Sequence, residues 1–595
     1  MRVADYIFRT LADKGVRHCF LVTGGGAMHL NDAVGRERRI RYVCNLHEQA
    51  CAMAAEGYAR ISGLPGVVCV TTGPGGTNAL TGVLGAWLDS VPMIVISGQI
   101  KRALMITSCP TLNLRQLGDQ EYNIVDAVRP MTKMARTVMS VDEIPQAIED
   151  AWRICREGRP GPVWLDVPLD IQAAELPEST SCVATPCLSS SDAAVPNLNL
   201  VVAALKSAAR PVVVVGSGVH NAHAEDEFLH VVESLNVPVL TSISGIDLIP
   251  SDHPLFFGRP GILGARAANF ILQNADLLLV LGTRMGLRVI GYAPDTVARA
   301  ARRIMVDVDE AELKKPTFRV DVPVLCDAGR FLRELSVHLP ARPPQTDWLA
   351  YCRRLRMRYP VVLPEHCART DYVSSYVLPE KIVAYAPEPL TVVTANGVAY
   401  TSTFQTIPIR RGMRVFANEG CASMGYGLPA AIGACLADAN RTMVCLEGDG
   451  SIQMNLQELQ TLQTYRLPVK LFVYNNGGYL SIKTTQRAFF DGFFVGAHAT
   501  SGVMLPSFEK LADVYGFPYF RLSNHAEFDR ILSSVFATPG PVLVEVMLDP
   551  FEQLGPKAAS RRLPDGRMVS SPLEDLAPFL PRTEFRENML IPPVQ

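Results

Sequence analysis

Apolar runs that stop abruptly on Gly, Asp or Asn constrain this chain more than any other feature: "VVCVTTGPGG", "PMIVISGQ", "RPVVVVGSGVH", "ADLLLVLGTR", "TMVCLEGDG" and "VKLFVYNN". A run without polar alternation has no wet face. Each therefore reads as a buried strand of a parallel sheet that opens into a turn. In such sheets the loops at the carboxyl ends of neighbouring strands lie side by side, and that edge is where ligands are held.

The last two runs frame one unit, "GDGSIQMNLQELQTLQTYRLPVKLFVYNN", residues 448–476. Leu456, Leu459 and Leu462 recur at helical spacing and Pro468 follows them, so the order is strand, helix, strand. A right-handed crossover of this length brings the two strand ends together, which lets Asp449 and Asn476 meet at one sheet edge. A carboxylate, an amide oxygen and backbone carbonyls make a hard oxygen site suited to Mg2+, whose remaining positions go to phosphate oxygens and water. An ordinary crossover closed by loop-forming Gly and Asn fits the same spacing.

The chain has 595 residues, enough for about three or four domains at roughly 150 residues each. A net charge of -2 gives no electrostatic footprint for nucleic acid or an anionic membrane. The 14 cysteines are scattered, without CxxC pairs or zinc spacing, and read as buried apolar residues in a reducing compartment. The N-terminus "MRVADYIFRTLADKGV" is amphipathic and no apolar run reaches the membrane-spanning length of about 18 residues, so a soluble, cytoplasmic protein is expected. Three alternating strand–helix blocks are expected at residues 1–175, 198–340 and 371–550. A Ser-, Pro- and Thr-rich linker (176–197) and a second connector (341–370) separate them. Residues 551–595 are polar and Pro-rich, yet "LEDLAPFL" and "NMLIPP" carry enough apolar residues to dock as an arm.

In the first block, "YVCNLHEQACAMAAEGYAR" places Glu48 where an apolar strand meets a small-residue helix. Apolar neighbours Cys51, Met53 and Ala54 would raise the pKa of such a carboxyl and suit it to relay a proton to a heterocyclic nitrogen. A helix N-terminal acid favoured by the dipole is the other reading. "VTGGGAMHL" and "VTTGPGGTNAL" are Gly-rich turns that allow close backbone approach to a ligand, and neither matches a dinucleotide fingerprint or a phosphate loop.

Taken together, "HEQACAMAAEGYAR", "TTGPGGTNALTGVLGAWLDSVPMIVISGQ", "GRPGPVWLDVPLDIQ", "ASMGYGLPAAIGA" and the GDG-to-NN unit resemble, in order and over almost the whole chain, the thiamine-diphosphate (ThDP) enzymes of the acetohydroxyacid synthase (acetolactate synthase) type. The resemblance implies an α/β chain of three doubly wound parallel-sheet domains: pyrimidine-binding, central and diphosphate-binding. It also implies a homodimer or homotetramer with active sites at the subunit interface. Glu48 would hydrogen-bond the pyrimidine N1' and drive the imino tautomer that removes the thiazolium C2 proton. Pro74, Gly75, Asn78, Asn396 and Gly397 would line the cofactor. Met424 would hold it bent, and the Ala422 carbonyl would accept from its 4'-amino group. Asp449, Asn476 and the Gly478 carbonyl would ligate Mg2+, with Gly448, Gly450, Ser451, Tyr479 and Leu480 around the diphosphate. Gly25, Gly26 and Gln120 align with the loops near the reacting carbon, and Arg288 with an arginine that approaches the acceptor. A core methionine, a solvated glutamine and a surface arginine are the plain alternatives for Met424, Gln120 and Arg288.

The sequence also departs from the synthases. Asp119 stands where a phenylalanine is usual, and Gly286 and Leu287 stand where two acids precede the arginine. Thr485 occupies the place of the tryptophan that selects a larger 2-oxo acid as acceptor. Losing an indole would open the acceptor pocket unless Tyr479, Phe489 or Phe490 refill it. FAD is a further expected cofactor, since "VGSGVH", "GTR" and Asp307 resemble its binding positions, although "GILGARAANF" lacks the Met-His pair beside the flavin. The expected function is a ThDP-dependent carboligase that decarboxylates pyruvate or a similar 2-oxo acid and transfers the acyl unit to a ketone or aldehyde. Authentic acetolactate synthesis is the second reading, and a catalytically silent ThDP- or partner-binding relative the third.

Overall fold

The computed structural model describes residues 1–177, 194–339, 346–562 and 565–594. Most of the expected linker, residues 178–193, and the start of the second connector, 340–345, lie outside the described residues.

Each apolar run forms a strand of one of three parallel sheets. The first sheet holds β1 (His18–Leu21), β2 (Arg41–Cys44), β3 (Gly66–Val70), β4 (Met93–Gln99), β5 (Met134–Thr137) and β6 (Pro162–Pro168), in the order β2-β1-β3-β4-β6-β5. The second holds β7 (Pro211–Val215), β8 (Val239–Thr241), β9 (Leu277–Leu281), β10 (Arg302–Asp307) and β11 (Val322–Leu325), in the order β11-β10-β9-β7-β8. The third holds β12 (Leu390–Thr394), β13 (Arg414–Phe416), β14 (Thr442–Gly448), β15 (Val469–Asn475), β16 (Tyr519–Leu522) and β17 (Val542–Met547), in the order β13-β12-β14-β15-β17-β16. Every residue of β3, β4, β6, β7 and β9 is buried, as expected when helices cover both faces. The first and third sheets share one connectivity, so their carboxyl edges offer equivalent sets of loops.

Two small-residue helices pack these domains together. Glu48–Ser62 crosses Gly427–Ala437 so closely that a Cβ at Gly57 would stand 2.1 Å from the Ala430 carbonyl oxygen, and one at Gly433 would stand 1.8 Å from that of Ala54. The same interface buries an ionic network. Arg60 reaches Glu56 and Asp89, each at 2.7 Å, while Tyr426 and Asn418 both donate to Glu56 at 3.1 Å.

The helix Thr346–Arg358 places Trp348, Leu349, Cys352 and Leu355 in the core of the middle domain. Residues 551–594 run back along that domain too. Leu573 and Phe585 join its core, and Arg266 donates to the carbonyls of Leu576 and Pro578 at 3.0 and 2.7 Å.

Middle and third domains meet at His220. Its Nδ1 lies 2.6 Å from Glu225 and its Nε2 lies 2.7 Å from Asp247, and Arg414 on β13 reaches Asp247 at 3.0 Å. Burial disfavours the imidazolium, as does Arg414, but Asp247 and the hydrogen bonds to it and to Glu225 outweigh both and hold the pKa above the ordinary value. A raised folded pKa stabilises the fold below the unfolded value of about 6.5, and that contribution is lost as pH rises through the folded value. His220→Gln should therefore cost more stability at about pH 6 than at about pH 9. Denaturant unfolding at both pH values reads the difference, and an equal cost at both would exclude a charged latch.

The helix crossing makes a second prediction. Gly433→Ala should lose about 1–3 kcal/mol of stability through overpacking. Gly35→Ala, at a helical position with no heavy atom within 4 Å of the added Cβ, should be neutral or gain up to about 1 kcal/mol. Equal effects of the two substitutions in thermal or denaturant melts would contradict the close crossing.

Candidate active site

Four consecutive loops at the carboxyl edge of the first sheet bring the predicted residues of that domain together. After β1, Gly25 and Gly26 form a short 3-10 turn whose Gly26 N–H donates to the Thr71 hydroxyl at 3.1 Å. After β2, Glu48 opens its helix at 8% exposure, among buried Ala50, Cys51 and Ala52. After β3, Pro74 and Gly75 begin the helix Pro74–Leu88, and Asn78, one turn in, donates its amide to Glu48 Oε2 at 3.0 Å. After β4 comes Gln120, with an exposed side chain and a left-handed backbone (φ 59°) whose carbonyl lies against Gly73.

The neighbouring Glu121 holds that last loop. Its buried carboxylate accepts backbone N–H groups from Ile106, Leu117 and Gly118 at 2.5, 2.9 and 3.2 Å.

The third sheet repeats the arrangement with a different inventory. Asn396 and Gly397 follow β12, and Ala422 and Met424 follow β13. Gly448–Ser451 follow β14, and Asn476, Gly478, Tyr479 and Leu480 follow β15. Ala422 is left-handed (φ 53°), and its carbonyl accepts from the Asn396 amide. Met424 is half-buried in a loop tied down by Gly425, whose N–H donates to Ser451 Oγ at 2.9 Å and whose carbonyl accepts from Asn455 at 2.8 Å.

Asp449 is the centre of this edge. Its Oδ1 accepts from Gly450 N–H at 2.7 Å, and its Oδ2 from Asn476 and Gly478 N–H at 2.9 and 3.0 Å. Burial pushes its carboxyl up to about 6, against the pull of those three N–H groups and of Lys483. Beside it, Asn476 Oδ1 is buried and has no hydrogen-bond partner. A buried amide oxygen without a donor is costly, and a cation held between it and Asp449 removes that cost. The donor set, a carboxylate beside a bare amide oxygen, is of the kind Mg2+ takes. Gly450 leaves room for the Tyr479 ring, because a Cβ there would lie 2.2 Å from it.

Among the described residues, no hydrogen bond joins the predicted residues of the first edge to those of the third within one chain. Arg288 belongs to neither edge. It follows β9 in the middle domain, and its guanidinium lies 4.8 Å from the Tyr400 ring centroid. The middle sheet has its own cavity of about 280 Å³, at the carboxyl ends of β7, β9 and β10, lined by Gly218, Gly282, Thr283, Arg284, Asp307 and Arg159. Strand order reverses between β7 and β9, and a crevice outside such a reversal is where doubly wound sheets bind nucleotides.

Comparison with known proteins gives these edges a common meaning. Family models of the thiamine pyrophosphate enzymes match in three places: the N-terminal TPP binding domain over residues 1–117, the central domain over 198–335 and the C-terminal TPP binding domain over 396–546. The chain is also 32% identical over 558 residues to the acetolactate synthase isozyme 1 large subunit of Escherichia coli (strain K12), covering 93% of this chain and 95% of that one. The chain belongs to the thiamine-pyrophosphate enzymes. Similar relatives are the acetolactate synthase large subunit of Lactococcus lactis subsp. lactis (strain IL1403), 31% identical over 93% of each chain, and a probable chloroplastic acetolactate synthase 2 of Oryza sativa subsp. japonica, 33% identical over 94% of this chain and 84% of that one. This thiamine-pyrophosphate enzyme thus carries one cofactor-binding domain on each outer sheet.

Sequence reasoning missed three buried ionisable residues of this enzyme. Glu121 carries no motif signal of its own. Glu458 accepts from the Asn45 amide at 2.8 Å and from Leu46 N–H at 2.9 Å, and so anchors the approach to Glu48 from the third domain. Lys483 donates to the Asn476 carbonyl at 2.9 Å. Lys483 was findable as a charged residue on the buried face of its helix, three after Leu480.

Asp449→Ala should abolish Mg2+-dependent ThDP binding, since the loop loses both its amide acceptor and a metal oxygen. Calorimetric titration of ThDP in Mg2+ checks it, and wild-type affinity would remove Asp449 from the anchor.

Proposed function

We propose that the protein is a carboligase that takes an acyl unit from pyruvate or a similar 2-oxo acid and transfers it to a carbonyl acceptor, with ThDP held through Mg2+. The observation that carries the reading is the bare, buried Asn476 Oδ1 beside the amide-cradled Asp449 in a C-terminal TPP binding domain. Bound ThDP supplies the nucleophilic thiazolium carbon that attacks a 2-oxo acid and accepts the charge left by decarboxylation. Glu48 Oε1 holds the proton exchanged with the pyrimidine ring, and Asn78 fixes its other oxygen. The left-handed Ala422, whose carbonyl accepts from Asn396, and Met424 would hold the cofactor from the side opposite Glu48.

The shares of both chains covered by the acetolactate synthase relatives support pyruvate as donor. Thr485 supports an acceptor larger than a second pyruvate. Its side chain is exposed and its hydroxyl donates back to the Ser481 carbonyl at 3.0 Å, so it adds no wall. A homodimer or homotetramer is supported by the absence, among the described residues, of a hydrogen bond between the predicted site residues of the two edges within one chain. Phe490 (59% exposed), Leu112 and Leu117 also stay exposed near the two rims. The middle-sheet cavity and Asp307 support a nucleotide-bearing cofactor such as FAD, which the visible absorbance of the purified protein tests directly. Cysteines that are all free among the described residues support a cytoplasmic setting, and no helix among those residues is long and apolar enough to cross a membrane.

Incubation with ThDP, Mg2+, pyruvate and a panel of ketones and aldehydes, with products identified by mass spectrometry, should show a larger ketone or 1,2-diketone outcompeting 2-oxobutyrate. Acetohydroxybutyrate as the main product would return the enzyme to branched-chain synthesis. Glu48→Gln should keep ThDP affinity and lose about 10²-fold or more in rate. Wild-type exchange of the C2 proton in that variant would refute the assignment.

A further inference from the structure

Helix Leu480–Phe489 begins directly after the Asn476–Gly478 loop, and one turn in it buries a lysine. Lys483 is 2% exposed and spends one of its three donors on the Asn476 carbonyl oxygen at 2.9 Å. Among the described residues no carboxylate forms an ion pair with it. Asp549 is engaged by Arg369 at 2.5 Å, and Asp449 is occupied by its three backbone N–H groups. The other near neighbours of Lys483 are an aromatic face, which attracts the ammonium only weakly, and a like charge. The Phe551 ring centroid is 5.4 Å from Nζ, and Arg487 lies over the same ring at 4.2 Å and adds a second positive charge. A buried, unpaired ammonium is expensive unless a bound anion completes it.

Charge counting says which ligand completes it. Asp449 carries one negative charge. A divalent cation alone, added to Asp449 and Lys483, leaves a buried site with two net positive charges. A divalent cation arriving with a diphosphate ester, which carries up to three negative charges at neutral pH, leaves a site close to neutral. We propose that Lys483 is a resident cation of the cofactor anchor: it opposes a divalent metal binding alone and favours metal and diphosphate binding together. Its hydrogen bond to the Asn476 backbone ties that charge to the residue whose side-chain oxygen awaits the metal. The inference rests on the ThDP reading above.

The test is calorimetric and needs no turnover. Mg2+ is titrated into the cofactor-free enzyme, and ThDP is then titrated at saturating Mg2+, for wild type, K483Q and K483R. K483Q removes the charge and keeps a donor; K483R keeps the charge. K483Q should bind Mg2+ alone about tenfold or more tighter than wild type and ThDP with Mg2+ about tenfold or more weaker, the size expected for a unit charge at short range in a protein interior. K483R should follow wild type in both. Unchanged affinities in K483Q, or a K483R that behaves like K483Q, would reduce Lys483 to a structural donor and overturn the proposal. Wild type alone supplies an outcome that does not depend on a variant folding: Mg2+ binding as tight without ThDP as with it also overturns the proposal. Absence of any ThDP binding by wild type in Mg2+ would instead sink the cofactor reading itself.

Discussion

Three backbone N–H groups from two neighbouring strand ends close on one carboxylate, and the rest of the third domain's edge follows from that contact. Gly450 belongs to the loop after β14, while Asn476 and Gly478 belong to the loop after β15. Parallel pairing of the strands brings these loops within reach, and Asp449 gives their amides an acceptor where water has none to offer. Each amide left unpaired in so buried a place would cost about 1–3 kcal/mol. Once its backbone is committed to Asp449, Asn476 has its side-chain oxygen left bare, and the loop presents two oxygens to one point. Ser451 carries the order onward by accepting from Gly425, which fixes the loop that holds Ala422 and Met424.

The first domain depends on the third in a less local way. Its own edge is built from glycine turns that pack on Thr71 and Thr72, but its position is set by the crossing of two helices without side chains at the contact. Glu56, fully buried, and the nearly buried Arg60 and Asp89 then satisfy one another together with Tyr426 and Asn418. Glu458 completes the link by holding Asn45 and Leu46, three and two residues before Glu48. The loop that leads into Glu48 in one domain is thereby held by a buried acid in another.

Strand positions and the Asp449–Asn476 meeting were legible because both rest on local signals: apolar runs of strand length, a helical leucine period, and glycines where the backbone turns. The shared connectivity of the outer sheets was not legible. Sheet order is decided by which crossovers pack best and leaves no repeat in the residues. Glu121 and Glu458 were hidden for a related reason. Their partners are backbone amides and a side chain in other segments, and nothing in their own neighbourhoods distinguishes them from surface acids. The helix at Thr346–Arg358 falls in a stretch read as a connector, because its apolar face, Trp348 to Leu355, has meaning only against the middle domain it covers.

The acceptor side is where local signals run out altogether, and the structure shows why. Arg288 is brought in from the middle domain and rests on Tyr400 of the third, so its placement is a product of domain packing and not of any motif. Thr485 lies on the helix that also carries Lys483, but on the opposite face. The inner face is closed and holds a charge against the metal loop. The outer face is open, with Thr485 bonded to its own backbone and Phe489 and Phe490 exposed beyond it. One helix thus buries Lys483 against the Asn476 loop on one side and leaves Thr485 open on the other. Thr485 closes no pocket by itself, so on the proposed reading selectivity at this position depends on the surface that covers this face and is not carried by the helix alone.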